Sequence, residues 1–127
     1  MLIQGDYLLI GFGHYVEKGD DPTRFSSANG SLEEEGSFKY NLYNYYIKIA
    51  EENDATPILL TPIVRANSSD DYTGASGHIT KYGDYRQAII ELGQEVNVDV
   101  LDLTLKTKEL YLEKGYDEAI KFHAWTT

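Results

Sequence analysis

Three short runs rich in apolar residues limit what this chain can fold into: Tyr7 to Phe12, Thr56 to Ile63 and Val98 to Leu103. Tyr7 to Phe12 is continuously apolar and has glycine near both ends, the pattern of a strand buried on both faces. Thr56 to Ile63 reads the same way, with Pro57 tolerated at its start and Pro62 closing it. Between the runs the apolar period changes. Phe38, Leu42, Tyr45, Tyr46 and Ile49 recur at helical spacing, which predicts an amphipathic helix from Ser37 to Asp54. Tyr85, Ala88, Ile89, Leu92 and Val96 predict a second from Tyr82 to Asn97. A last helix is expected from about Thr104 to Lys114, with Gly115 as its stop and a short helical turn over Asp117 to Phe122.

Strand and helix therefore alternate three times, which implies a parallel sheet with right-handed crossovers. A length of 127 residues suits one domain and one core. Three strands make a small sheet with both edges open, so the chain reads as a single but incomplete α/β domain over residues 1–127. Two polar stretches, Glu17 to Gly36 and Arg65 to Lys81, are long for connectors and have the length of functional loops. Ser31-Leu32-Glu33-Glu34 fits a capping box, so a helical turn is expected there, with Glu33, Glu34 and Glu35 as its amino-terminal charges.

The formal net charge of −10 argues against nucleic acid or an anionic membrane surface as partner. The absence of cysteine removes disulfides, thiolate zinc sites and cysteine nucleophiles. No metal and no cofactor is expected. No run approaches transmembrane length, and Met1-Leu2-Ile3-Gln4 is not a signal peptide. The eleven tyrosines are expected mainly on half-buried helix faces.

Ligands of open α/β sheets bind beyond the carboxyl ends of the strands, which draws attention to Gly13-His14-Tyr15-Val16 after the first run. The order and wording of Asp6-Tyr7-Leu8-Leu9-Ile10, Gly13-His14, Thr61-Pro62-Ile63-Val64-Arg65, Gly83-Asp84-Tyr85 and Val100-Leu101-Asp102-Leu103 resemble rhamnogalacturonan acetylesterases. These are SGNH (GDSL-type) hydrolases, and the resemblance implies part of a flavodoxin-like, three-layer α/β/α fold of strand order 2-1-3-4-5. It covers the central and later part of the family's domain, with the opening strand as the family's third.

The resemblance implies ester hydrolysis by acyl transfer on acetylated pectic polysaccharide, in a family commonly secreted. Family chemistry uses a Gly-Asp-Ser nucleophile, an oxyanion-hole glycine, a Gly-x-Asn-Asp block and an Asp-x-x-His pair. This sequence has neither Gly-Asp-Ser nor Asp-x-x-His: Gly5-Asp6 precedes Tyr7, Gly19-Asp20 precedes Asp21, and Ile120 stands three before His123. The third block is degenerate, with Tyr15 in place of the oxyanion-hole Asn. Loss of one such donor costs ~10²–10³ in turnover. The chain is therefore expected to be catalytically incomplete, with Gly13, His14 and Tyr15 as the remnant of the oxyanion block. His14, fixed at a strand end, reads either as a hydrogen-bonded structural residue or as a substrate-facing one, and Arg65 is the other substrate-facing candidate, with Tyr72 and Asn67 as further loop residues for carbohydrate contact. Ser76 and His78 lie in a loop that would hold them poorly as a nucleophile–base pair. Asp20-Asp21 and Asp70-Asp71 read as ordinary loop acids. The alternative reading is a self-associating module that dimerises through the edge of the Tyr7 to Phe12 strand.

Overall fold

The computed structural model describes residues 2–12, 19, 25–64 and 78–122. Strands β1 (Tyr7–Gly11), β2 (Thr56–Leu60) and β5 (Asp99–Leu101) form one parallel sheet in the order β1-β2-β5. The register pairs Leu9 with Ile58 and Ile10 with Leu59, and then Leu59 with Val100. The expected α/β architecture, with a short parallel sheet and crossover helices, is the observed one.

Between β1 and β2 lies one continuous helical run with a change of pitch. Helix α1 (Phe38–Leu42) passes into a π-helical segment (Tyr43–Ile47) and then into α2 (Lys48–Glu52). Ser37 caps its start: its hydroxyl accepts from the Tyr40 amide at 3.1 Å. The π segment resets the buried face. Phe38, Leu42, Ile47 and Ala50 point inward, with a five-residue step from Leu42 to Ile47. Uninterrupted α spacing would have buried Tyr45, Tyr46 and Ile49. They are instead exposed, Tyr45 at 60%, which corrects the expectation that these three lie on the helix's apolar, at least half-buried face.

Helix α3 (Tyr85–Val96) begins at the Asp84 cap and ends at Asn97, which adopts the left-handed conformation (φ 56°). Gly93 lets this helix approach β5 closely: a Cβ there would stand 2.8 Å from the Val98 carbonyl oxygen. Helix α4 (Leu103–Lys114) stops at Gly115, and α5 (Tyr116–Ala119) continues into a 3₁₀ turn (Ile120–Phe122). Before α3 stands a small antiparallel pair that periodicity did not reveal, β3 (Ile79–Thr80) with β4 (Gly83–Asp84). The Tyr82 carbonyl between these strands accepts from the amides of Ala28 and Asn29, which ties the first long loop to this hairpin.

Two further expectations are corrected. The Ser31 to Glu34 stretch forms turns rather than helix; the Glu34 amide donates to Ser31 O at 3.2 Å, and no acidic residue lies in the first turn of α1. The first strand is buried on one face only. Ile10 is 3% exposed and Leu8 half-buried, whereas Tyr7 is 68% and Leu9 60% exposed. The reason is where the helices lie. The core of Ile10, Leu59 and Val98 packs with Phe38, Leu42, Ile47, Tyr85, Ile89 and Leu92, all from α1 to α3 on one side of the sheet. A separate, smaller cluster gathers Val64, Tyr111, Ala119 and Ile120, and Tyr7 and Leu9 stay uncovered among the described residues. No helix in the described residues is long and apolar enough to cross a membrane.

Candidate functional site at the carboxyl ends of the strands

Three chain segments leave the sheet at its carboxyl edge: Phe12 after β1, Thr61-Pro62 after β2 and Asp102 after β5. Gly13, His14, Tyr15 and Arg65, the site residues expected from the sequence, lie outside the described residues, as do Asn67, Tyr72 and Ser76. What the structure describes is the frame from which those segments depart.

The frame is a polar lattice. The Thr61 hydroxyl donates to Asp102 Oδ1 at 2.9 Å and accepts from the Thr104 amide at 2.9 Å. Asp102 caps helix α4 by accepting from the Leu105 amide at 3.2 Å. Arg86, from the first turn of α3, reaches the same carboxylate through Nε and Nη2. Burial pushes the Asp102 carboxyl up, but the hydrogen bonds from Arg86, Thr61 and Leu105, with the Arg86 charge, outweigh it and hold its pKa below the usual carboxylate value. The same hydrogen bond to Asp102 raises the Arg86 pKa further. An aspartate so committed is held as a fixed anion, the wrong state for a proton carrier.

Thr104 and Thr107 complete the turn after β2. The Thr104 hydroxyl donates to Pro62 O at 2.5 Å, and the Val64 amide donates to the Thr107 hydroxyl at 3.1 Å. His78 is not the loosely held loop residue expected. It is 2% exposed, its Nε2 donates to Ile63 O at 2.6 Å, and its own carbonyl accepts from the Tyr85 amide. That nitrogen serves the main chain, which leaves it unsuited to take a proton from a hydroxyl.

A second group was missed in the sequence because the π segment generates it. Phe12 and Tyr46 meet with ring centroids 4.9 Å apart and planes at 47°. Together with Tyr45, Asn41, Phe38, Leu42 and Ser26 they line a cleft of about 170 Å³. The visible signal in the sequence was the apolar stripe through Tyr45, Tyr46 and Ile49, which pointed these side chains to the core rather than to a cleft. Among the described residues no cluster of three or more His, Asp or Glu is arranged to hold a metal ion.

The comparisons with known proteins agree with the sequence resemblance. The chain is 32% identical over 124 residues to rhamnogalacturonan acetylesterase RhgT of Bacillus subtilis (strain 168), covering 98% of this chain and 47% of that protein. It is 26% identical over 121 residues to the probable rhamnogalacturonan acetylesterase YesY of the same organism, covering 92% of this chain and 48% of YesY. The chain thus spans about half the length of the curated relatives it matches. A crystal structure of the Bacillus subtilis protein YxiM superposes with a TM-score of 0.68 at 23% identity, covering 96% of this chain and 30% of that one, and shares the fold. No protein-family model matches the chain.

Proposed function

We propose that this chain, similar along almost its whole length to about half of a rhamnogalacturonan acetylesterase, is the central-to-carboxyl part of a carbohydrate acetylesterase domain of SGNH type. The full domain would hydrolyse acetyl esters of a pectic polysaccharide by acyl transfer to a serine. The observation that carries this reading is the 32% identity to RhgT over 98% of the chain. The parallel β1-β2-β5 order supports it as the third, fourth and fifth strands of a flavodoxin-like sheet.

In this reading residues 1–127 are one incomplete domain without activity of its own. The sequence has no Gly-Asp-Ser and no Asp-x-x-His, and Tyr15 replaces the oxyanion Asn. A serine attacks only with its base in reach and its oxyanion donors in place. Acetate release from acetylated rhamnogalacturonan by the 127-residue chain is expected at buffer background. Saturable release above that level contradicts the inactivity.

A second reading has its own observation. β1 is an edge strand whose Tyr7 and Leu9 are 68% and 60% exposed, an apolar face beside an edge unpaired among the described residues. Such an edge favours pairing with a second copy, which makes the chain a homodimer through β1. Sedimentation at micromolar concentration separates the two readings, a monomer removing the second.

A further inference from the structure

We propose that the cleft formed by Phe12, Tyr45 and Tyr46 is a saccharide subsite that seats one uncharged pyranose ring of the polysaccharide chain. The choice of a saccharide rests on the acetylesterase reading; the location, size and charge preference come from the cleft itself.

The cleft lies where Phe12 follows β1, at the carboxyl edge where open α/β sheets take their ligands. Its wall is the π-helical segment Tyr43–Ile47. π segments are rare, have poorer hydrogen-bond geometry than an α-helix, and concentrate at functional sites. Here the segment does two things at once. It turns Ile47 into the core and carries two consecutive tyrosines out beside Phe12, with Tyr45 60% exposed and Tyr46 and Phe12 each 37% exposed. Packing of the core does not account for those three rings.

One lining residue carries a buried hydroxyl. Ser26 is 3% exposed and lines the cleft, and its Oγ has no hydrogen-bond partner among the described residues. Buried hydroxyls are rarely left so. Its main-chain carbonyl is held by the Tyr85 hydroxyl at 2.6 Å, which fixes the position of the residue. Asn41 lines the same cleft with an amide that both donates and accepts. Aromatic faces with a few polar groups suit a sugar ring, whose C–H face is apolar and whose rim carries hydroxyls.

Size and charge narrow the occupant. A cleft of about 170 Å³ is well below the ~300–1,000 Å³ of a drug-sized pocket, and holds a single ring. Among the described residues no Lys, Arg, Asp or Glu lines it, and the chain carries a net charge of −10. A carboxylated sugar would find no cation among these described side chains. An uncharged ring fits this lining instead.

The test is a nuclear magnetic resonance titration of the 127-residue chain with a de-acetylated rhamnogalacturonan oligosaccharide, following the Phe12, Tyr45 and Tyr46 ring signals. Saturable shifts centred on these rings are expected. Tyr45→Ala should weaken binding roughly 2–10-fold, whereas Tyr7→Ala, on the sheet rather than at the cleft, should leave it unchanged. Raising the salt should not weaken it. Absence of saturable shifts, equal affinity in Tyr45→Ala, or affinity lost on adding salt each overturns the subsite. Because the probe carries no acetyl group, binding without any esterase activity in the complete domain would fail the acetylesterase reading and keep the subsite. Esterase activity without binding at these rings would do the reverse.

Discussion

Arg86 holds Asp102 through two nitrogens: Nε lies 3.1 Å from Oδ1 and 3.2 Å from Oδ2, and Nη2 donates to Oδ2. This pair joins the first turn of α3 to the start of α4 across the ends of two strands. Among the described residues the arginine hydrogen-bonds this one side chain, whereas the aspartate accepts from three groups: Arg86, Thr61 and the Leu105 amide.

That asymmetry predicts unequal effects of truncation. Asp102→Ala removes a helix cap and unsatisfies Thr61 and Arg86 together, so about 2 kcal/mol is expected. Arg86→Ala leaves the cap intact and, for a partly exposed pair, should cost about 1 kcal/mol or less. Urea denaturation of both variants measures the difference; equal losses would contradict the cap's part in it.

Acid should weaken the same pair. The Asp102 pKa is lowered in the folded state, so the unfolded chain binds more protons and stability rises with pH. The contribution is present above the unfolded value of about 3.9 and is lost as pH falls through the lower folded value. The stability gap between the wild type and Asp102→Asn, followed by urea midpoints from pH 7 downward, should hold to about pH 4 and then shrink. A gap independent of pH would contradict the pairing.

Alkali should act on Lys39, which bridges α1 to α3 with Nζ 2.8 Å from Glu95 and 3.4 Å from Glu91. Burial lowers the Lys39 pKa, but the hydrogen bonds and charges of Glu95 and Glu91 outweigh it and leave it raised. Its contribution is therefore present below the unfolded value of about 10.4 and lost as pH rises through the folded value. Lys39→Met should flatten the alkaline limb of the stability profile, and an unchanged limb would count against the bridge.

Gly93→Ala opposes two effects. Alanine gains about 1 kcal/mol of helix propensity over glycine, but its Cβ would sit 2.8 Å from the Val98 carbonyl oxygen, a main-chain atom that cannot swing aside. Overpacking of this kind costs ~1–3 kcal/mol, so a net loss of about 1 kcal/mol is expected in thermal or chemical unfolding. A stabilised variant would mean that α3 and β5 separate more easily than their contact implies.

The alternation of strand and helix was legible because each crossover keeps a distinct apolar period, and the caps at Ser37, Asp84 and Gly115 fell within a few residues of the expected ends. Burial was not legible to the same degree. A run such as Tyr7 to Phe12 looks the same whether one or both faces are covered, since nothing in its own residues specifies the neighbours. The π segment was invisible for a related reason: the apolar positions of 38–50 fit an α-helical stripe through Tyr45 and Ile49, and only the tertiary choice of Ile47 selects the five-residue step. The lattice around Asp102 joins residues 61, 86, 102, 104 and 105, too far apart in sequence for spacing to connect them. The remnant oxyanion block at Gly13, His14 and Tyr15 and the substrate-facing Arg65 lie outside the described residues and stay expectations.

The most direct test of the account replaces the 124 residues of RhgT that match this chain with the chain itself, restoring Asn and Asp at Tyr15 and Val16. A folded chimera, verified by circular dichroism, is expected to release acetate from acetylated rhamnogalacturonan well above the isolated chain. A folded chimera that releases no more acetate than buffer would contradict the assignment of this chain to an acetylesterase domain.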